Sequence, residues 1–388
     1  MSKKNQIRIP CRTKDAVFIY WSRIFSEGAE NMNQNVIHTF LGANSAEGFH
    51  CLYNGFLQNH RNFIIKGGPG SGKSGLMKKA AQKAIDMGYF TELCHCSSDA
   101  ESLDAVRIPE LNLCILDGTP PHTAEPKFPG AKDDILNTGA FWNRTYLEEN
   151  AEEIRELNGK ISACFTHAYR YLAAAGKGAE DLSASFLRKT DVAKMKNFAL
   201  AMVRRHIGKG SGTGEILPRF LSAITPQGKI THTQTLSVLC EKIFPVADPY
   251  RISEPFFDVL IENAVALGHS VYVFFDPLCP SVPRQIAIPT AKTAFAVTDE
   301  YGEPEGKNAY TLHLSRFCSP DKELKERYKS GAMLIRTGIN EAIRTLQKEK
   351  AYHDELEAYY VKAMDFRKLN AFTQNLLRAL FPKEEKNT

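Results

Sequence analysis

Lys73 and Ser74 close a glycine-rich run, Gly67-Gly68-Pro69-Gly70-Ser71-Gly72, and Gly75 follows; the spacing fits G-x-x-x-x-G-K-[ST]. Glycines so placed let the backbone approach an anion closely and take dihedrals that other residues avoid. Successive amide N–H groups then point inward, and a helix starting at the lysine adds positive potential. The chemistry this predicts is nucleoside triphosphate binding. Residues 67–75 would cradle ATP phosphates, Lys73 would reach the β- and γ-phosphates, and Ser74 would offer its hydroxyl to Mg2+. An ordinary Gly/Pro turn would have no need of Lys73 and Ser74 in register.

A phosphate loop needs a carboxylate for its metal. Asp117 ends the apolar run Leu113–Leu116 and is expected at the carboxyl edge of a sheet, where open α/β sheets bind ligands. Asp117 is therefore the second expected Mg2+ ligand, against the plainer reading of a strand-ending Asp that caps a turn. Gly118 follows it, where many ATPases carry a water-polarising Glu. Between the two motifs, "TELCHCSSDAESLD" places His95, Cys96, Asp99 and Asp104 in a loop leaving the same edge. His95 and Asp99 are candidate catalytic groups beside the nucleotide; the plainer reading is a satisfied His and a capping Asp. Cys94, His95 and Cys96 make a poor metal site, because alternate strand residues face opposite ways and no second ligand pair stands at zinc-like spacing. His122 and Glu125 are placed to orient water, or are solvated loop residues.

These groups need a strand before the loop and a helix after it. Asn62-Phe63-Ile64-Ile65 is a short apolar run suited to a buried parallel strand. Leu76, Ala80, Ala84 and Met87 recur at helical spacing, and Gly88 is placed to stop the helix. Thr91 to His95 alternate as a strand does, and Leu113–Leu116 forms another.

The chain has 388 residues, 43% of them hydrophobic and 24% charged, as in an ordinary globular protein with two or three domains. Its 49 basic residues nearly match 44 acidic ones, so the net charge of +5 does not point to nucleic acid. No apolar run suggests a membrane span, and the first residues lack the apolar core of a secretory signal. Nine scattered cysteines suggest no disulfide framework, which points to the cytoplasm.

Shifted by 180 positions, the sequence falls on itself without a gap. "HTFLGANSAEG" at 38–48 meets "PRFLSAITPQG" at 218–228, and "AVRIPELNLCIL" at 105–116 meets "QIAIPTAKTAFA" at 285–296. Phe40/Phe220, Leu41/Leu221, Gly48/Gly228, Gly88/Gly268 and Pro109/Pro289 are identical. A diverged duplication is expected. "GGPGSGKS" falls on "ADPYRISE" at 247–254, where the lysine is Ser253 and the serine is Glu254. Bulky Tyr250, Arg251 and Ile252 replace small residues, and Glu254 would repel phosphate. A helical stretch follows each copy, with Ala168–Tyr169 resembling Ala358–Tyr359. The expected organisation is an N-terminal extension at 1–37 containing an amphipathic helix, a P-loop domain at 38–207, a flexible Gly-rich linker at 208–214, and a degenerate P-loop-like domain at 215–388.

With these motifs in view, the chain resembles a family of duplicated P-loop ATPase-like proteins of Gram-positive bacteria. That family pairs a P-loop with "HC..D...LD...IPEL", matched by His95, Cys96, Asp99, Leu103, Asp104 and residues 108–111, and then "DGT.PH", matched by Asp117–Thr119 and His122. The resemblance runs from about residue 38 through most of the chain. It implies ATP binding with no settled reaction; in that family the second copy can also carry a P-loop, and this chain departs from that. The expected fold is α/β: a P-loop NTPase fold, with a parallel sheet flanked by helices, in tandem duplication, each copy followed by a helical hairpin. The expected activity is Mg-dependent ATP hydrolysis with an unknown second substrate or protein partner. The alternatives are a small-molecule or nucleotide kinase, and a nucleotide-gated binding module.

Overall fold

The computed structural model describes residues 35–57, 60–121, 123–298 and 309–381. The helix expected in the N-terminal extension and His122 lie outside the described residues. Two sheet-helix units follow one another. The first runs β1 (Val36–Phe40), β2 (Gly42–Ser45), β3 (Gly48–Cys51), α1 (Tyr53–Phe56), β4 (Arg61–Lys66), α2 (Lys73–Asp86), β5 (Thr91–His95), β6 (Leu103–Ile108), β7 (Leu113–Asp117), β8 (Asp133–Asn137), α3 (Arg144–Glu149), α4 (Ala151–Leu187) and α5 (Val192–His206). The second runs β9 (Glu215–Arg219), β10 (Ser222–Thr225), β11 (Gly228–Thr231), α6 (Gln234–Leu239), β12 (Lys242–Ala247), α7 (Glu254–Ala266), β13 (Ser270–Phe275), β14 (Pro283–Ile288), β15 (Thr293–Thr298), β16 (Leu312–His313), α8 (Lys322–Ala363) and α9 (Phe366–Leu380). β1 begins at Val36, so the expected boundary after residue 37 cuts through a strand.

The first sheet has the order β1-β5-β6-β7-β4-β8, and the second β16-β12-β15-β14-β13-β9, the same order strand for strand. Neither sheet is wholly parallel, contrary to expectation. β6 runs antiparallel to β5 and β7, and β14 to β13 and β15. The reason is the length of the connections. Parallel neighbours need a crossover of a dozen residues or more. β6 and β7 are joined instead by a 3-10 turn at Pro109–Leu111, with Asn112 left-handed at φ 53°. Pro289–Ala291 and Lys292 at φ 51° repeat it.

The helices do not form a hairpin behind each sheet. α4 and α8, the two longest, pack along one another across the units. α5 then lies on the second sheet, where Met195, Ala199 and Met202 join the core of Phe256, Phe257 and Leu260. α9 packs against the core of the first unit, beside α2: Phe372, Leu376, Leu377 and Leu380 join the cluster that holds Leu76, Met77 and Ala80, and Lys79 Nζ donates to Asn370 Oδ1 (2.7 Å). The exchange is reciprocal. At one crossing Asp191 N–H donates to Phe317 O (2.8 Å), and at the other Asp365 N–H donates to Phe141 O (3.0 Å). The long helices end at Leu187 and Ala363, an offset of 176, so the resemblance of 168–169 to 358–359 does not mark equivalent places.

The segment 208–214 is tied down rather than loose. Gly210 N–H donates to Leu267 O (2.8 Å) and Gly212 N–H to Gly268 O (3.1 Å). Gly214, at φ 70°, lies so close to Val265 that a Cβ would stand 2.2 Å from its carbonyl oxygen. The described cysteines are free thiols, and no described helix is long and apolar enough to cross a membrane.

The units meet along Phe40 and Phe220, which exchange backbone hydrogen bonds of 2.8 and 2.9 Å. Beside them Glu92, fully buried on β5, holds Arg107 of its own unit and Arg219 of the other. Arg107 also donates to Tyr272 Oη (2.9 Å), and Arg219 lies over the Phe56 ring. Burial alone would raise the Glu92 carboxyl, but the two guanidiniums outweigh it and hold the pKa at about 2. Removing one member of a buried ion network strands the others, at a cost of about 3–5 kcal/mol. Arg219→Met is therefore expected to lower unfolding stability in urea by about 3 kcal/mol or more. A change under about 1 kcal/mol, typical of exposed pairs, would contradict the role assigned to this network.

Candidate functional site

β4 is buried on both faces through Phe63, Ile64 and Ile65 and lies between β7 and β8, parallel to both. It delivers the chain at Lys66 into the loop 67–72. Ile65 pairs in register with Asp117, so Asp117 emerges beside the loop on the neighbouring strand. Gly70 (φ 63°) and Gly72 (φ 79°) are left-handed, which few other residues tolerate. α2 starts directly after them, and Leu76, Met77, Ala80, Ala81 and Ala84 form its buried face, as their spacing predicts. Gly88 (φ 78°) ends the turn.

Lys73 Nζ donates to Gly67 O (2.8 Å) and Gly68 O (2.7 Å) and stands 3.4 Å from Asp117 Oδ2. Asp117 Oδ1 accepts from Thr119 N–H (2.9 Å) and Oγ1–H (2.5 Å), which fixes the carboxylate with Oδ2 toward the lysine. Ser74 Oγ accepts from Leu103 N–H (3.1 Å), tying the start of α2 to β6. Gly67 has no room for a side chain, since a Cβ would stand 2.0 Å from Thr138 Oγ1. The same holds for Gly118, where a Cβ would stand 2.3 Å from Ile64 Cγ2. That explains why no carboxylate follows Asp117. Lys66 Nζ binds Gly118 O, Ala124 O and Glu125, so Glu125 braces this loop.

The outer side of the loop is covered by the second unit. A Cβ on Gly68 would stand 3.0 Å from the Tyr360 ring, and one on Gly70 would stand 2.8 Å from both Glu357 and Val361. One on Gly72 would stand 2.5 Å from Leu369 of α9. His353, Asp354 and Glu357 present side-chain ligand atoms within 4.8 Å of one another on the same helix. The charge of Asp99 acts on Lys350 and His353 of this helix. Its carboxylate also accepts from Glu101 N–H (3.2 Å) and Ser102 Oγ–H (3.0 Å) in a local turn. Burial lowers the His353 pKa.

His95 makes different contacts. Its Nδ1 lies 2.7 Å from Ala100 O and its Nε2 lies 2.8 Å from His38 Nδ1, while the ring of His232 is 4.5 Å away between centroids. Burial pulls the pKa of His38 down to about 4 and of His232 to about 3, and lowers that of His95. The structure thus joins Lys73 and Asp117 directly, holds Ser74 at the head of α2, brings the charge of Asp99 to bear on Lys350 and His353, and gathers His95 with two other histidines. Sequence reasoning did not single out His38, His232, Glu357 or Tyr360. No local pattern marks them, because each meets its neighbours only through the packing of the two units.

The matching loop of the second unit carries its own anion. Asp248, at the place of Gly68, accepts from Ile252 N–H (2.8 Å) and Ser253 N–H (3.0 Å) and lies 3.3 Å from Arg284. Arg251 pairs with Asp276, and Tyr250 stacks on Phe186 of α4 at 4.4 Å. The carboxylate sits on the amides that open α7, where an anion is favoured. Asp248→Ala would strand Arg284 and two amides, at about 3 kcal/mol. Urea unfolding with nucleotide titration is expected to show that loss and no second nucleotide site. Unchanged stability, or two nucleotides per chain, would contradict it.

Compared with known proteins, the chain matches no family model, no curated protein and no solved structure.

Proposed function

We propose that the protein is a P-loop NTPase that binds Mg-ATP at residues 67–75 and hydrolyses it. The observation that carries this reading is the pairing of Lys73 with Asp117 at 3.4 Å, across adjacent parallel strands and at the head of a helix opened by left-handed glycines. Loop amides and Lys73 would hold the phosphates and stabilise charge on the transferred group. Ser74 and Asp117 have the hard oxygen donors that suit Mg2+. When bound, the ion would neutralise charge between the β- and γ-phosphates.

With Gly118 barred from carrying a side chain, a group that orients water has to come from elsewhere. Glu357 of α8, whose Cγ and main-chain carbonyl oxygen border Gly70, is our candidate for that role. We also read the chain as a tandem duplication, supported by the shared strand order and by strands such as Gly42–Ser45 and Ser222–Thr225 at an offset of 180. The second copy then serves as cover and brace, since Asp248 already sits on its loop amides.

Lys73→Ala is expected to weaken nucleotide binding and to lower the rate of phosphate release by about 100-fold or more, as loss of one positioned charge-stabilising donor does. Calorimetric titration with Mg-ATP and a phosphate-release assay check this. Wild-type binding and turnover in the variant would overturn the reading. A phosphorylated metabolite formed beyond ADP and phosphate would shift it to a kinase.

A further inference from the structure

Three histidines converge where the two units join. His38 lies on β1, His95 ends β5, and His232 directly follows β11. His95 pairs in register with Phe40, two residues from His38, so His38 and His95 project from one face of the first sheet. His232 arrives from the second unit, its ring stacked on Phe40 at 4.9 Å. One nitrogen from each histidine lies within 4.8 Å of the others, and all three residues are half-buried.

The nitrogens are set up for an electrophile. Ala100 O can only accept, so His95 Nδ1 carries the proton and Nε2 turns a lone pair inward, toward His38 Nδ1 at 2.8 Å. A backbone carbonyl on the far nitrogen is the usual way a ligating imidazole is oriented. Thr235 fixes the backbone of His38 on both sides, accepting from its N–H (3.0 Å) and donating to its carbonyl (2.7 Å). His232 Nε2 is buried and has no hydrogen-bond partner. A simple hydrogen bond between His38 and His95 leaves that nitrogen unsatisfied, whereas a shared cation engages all three. The positive charge of Lys78 on α2 also disfavours a protonated His95.

We propose that His38, His95 and His232 form a binding site for one divalent transition-metal ion of borderline softness, such as Zn2+. Three imidazoles leave a fourth position for water or an outside ligand. Because the ligands come from both units, the ion would pin the first sheet to the loop after β11. The site shares no residue with the proposed nucleotide loop and stands or falls apart from it.

The test uses the untagged full chain, stripped with chelator and titrated with Co2+, whose visible absorption reports coordination. One Co2+ per chain is expected, displaced by Zn2+ and raising the melting temperature. His95→Gln and His232→Gln, checked for folding by circular dichroism, are each expected to weaken binding by more than about 100-fold, beyond the loss of an orienting partner alone. Lys73→Ala is expected to bind Co2+ as the wild type does. Absence of saturable one-to-one binding in the wild type would overturn the proposal whether or not the variants fold. So would folded His variants that keep wild-type affinity.

Discussion

A carboxylate cannot stay ionised in a protein interior without partners, and Glu92 is fully buried. It takes one guanidinium from its own sheet, Arg107, and one from the other unit, Arg219. That requirement fixes how the units face each other. At the positions 180 residues after Thr39, Glu92 and Arg107 the chain carries Arg219, Tyr272 and Ala287, so the network is not repeated but shared between the units. With Glu92 satisfied, Phe40 and Phe220 come into hydrogen-bonding register and the three histidines meet beside them.

The same junction directs the helices. α4 and α8 lie together, and each hands its following helix to the other unit's core. The cores are therefore interdependent: Leu76 and Met77 behind the glycine-rich loop share a core cluster with residues of α9, which belongs to the far end of the chain. The two loops have answered the overlying helix differently. Glycines at 68 and 70 leave the backbone bare under Tyr360, Glu357 and Val361. Tyr250 and Asp248 instead fill the second loop with a ring against Phe186 and a carboxylate on its amides.

Much of the first sheet was legible because its signals are local. The apolar run at 62–65, the helical spacing from Leu76 to Met87 with Gly88 behind it, and Asp117 after Leu113–Leu116 each specify an element and its end. The shift of 180 is matched by the common strand order of the two sheets. The antiparallel strand was not foreseen. Its signal lay in the short connection after Ile108, the 3-10 turn Pro109–Leu111, whose Glu110 accepts from Phe90 N–H. The exchange of terminal helices was illegible for a deeper reason. An amphipathic helix declares that it has an apolar face, not which of two similar sheets will cover it. His38 and His232 gave no signal at all, since they meet only through tertiary packing.

The central claim is that the phosphate loop of the first unit works beneath a helix of the second. Hydrogen–deuterium exchange on the full chain, with and without a non-hydrolysable Mg-ATP analogue, tests it most directly. Slowed exchange is expected in residues 67–74, together with a change in α8 around residues 350–361. Protection confined to the loop, with α8 unaffected, would contradict it, as would no protection anywhere at saturating nucleotide.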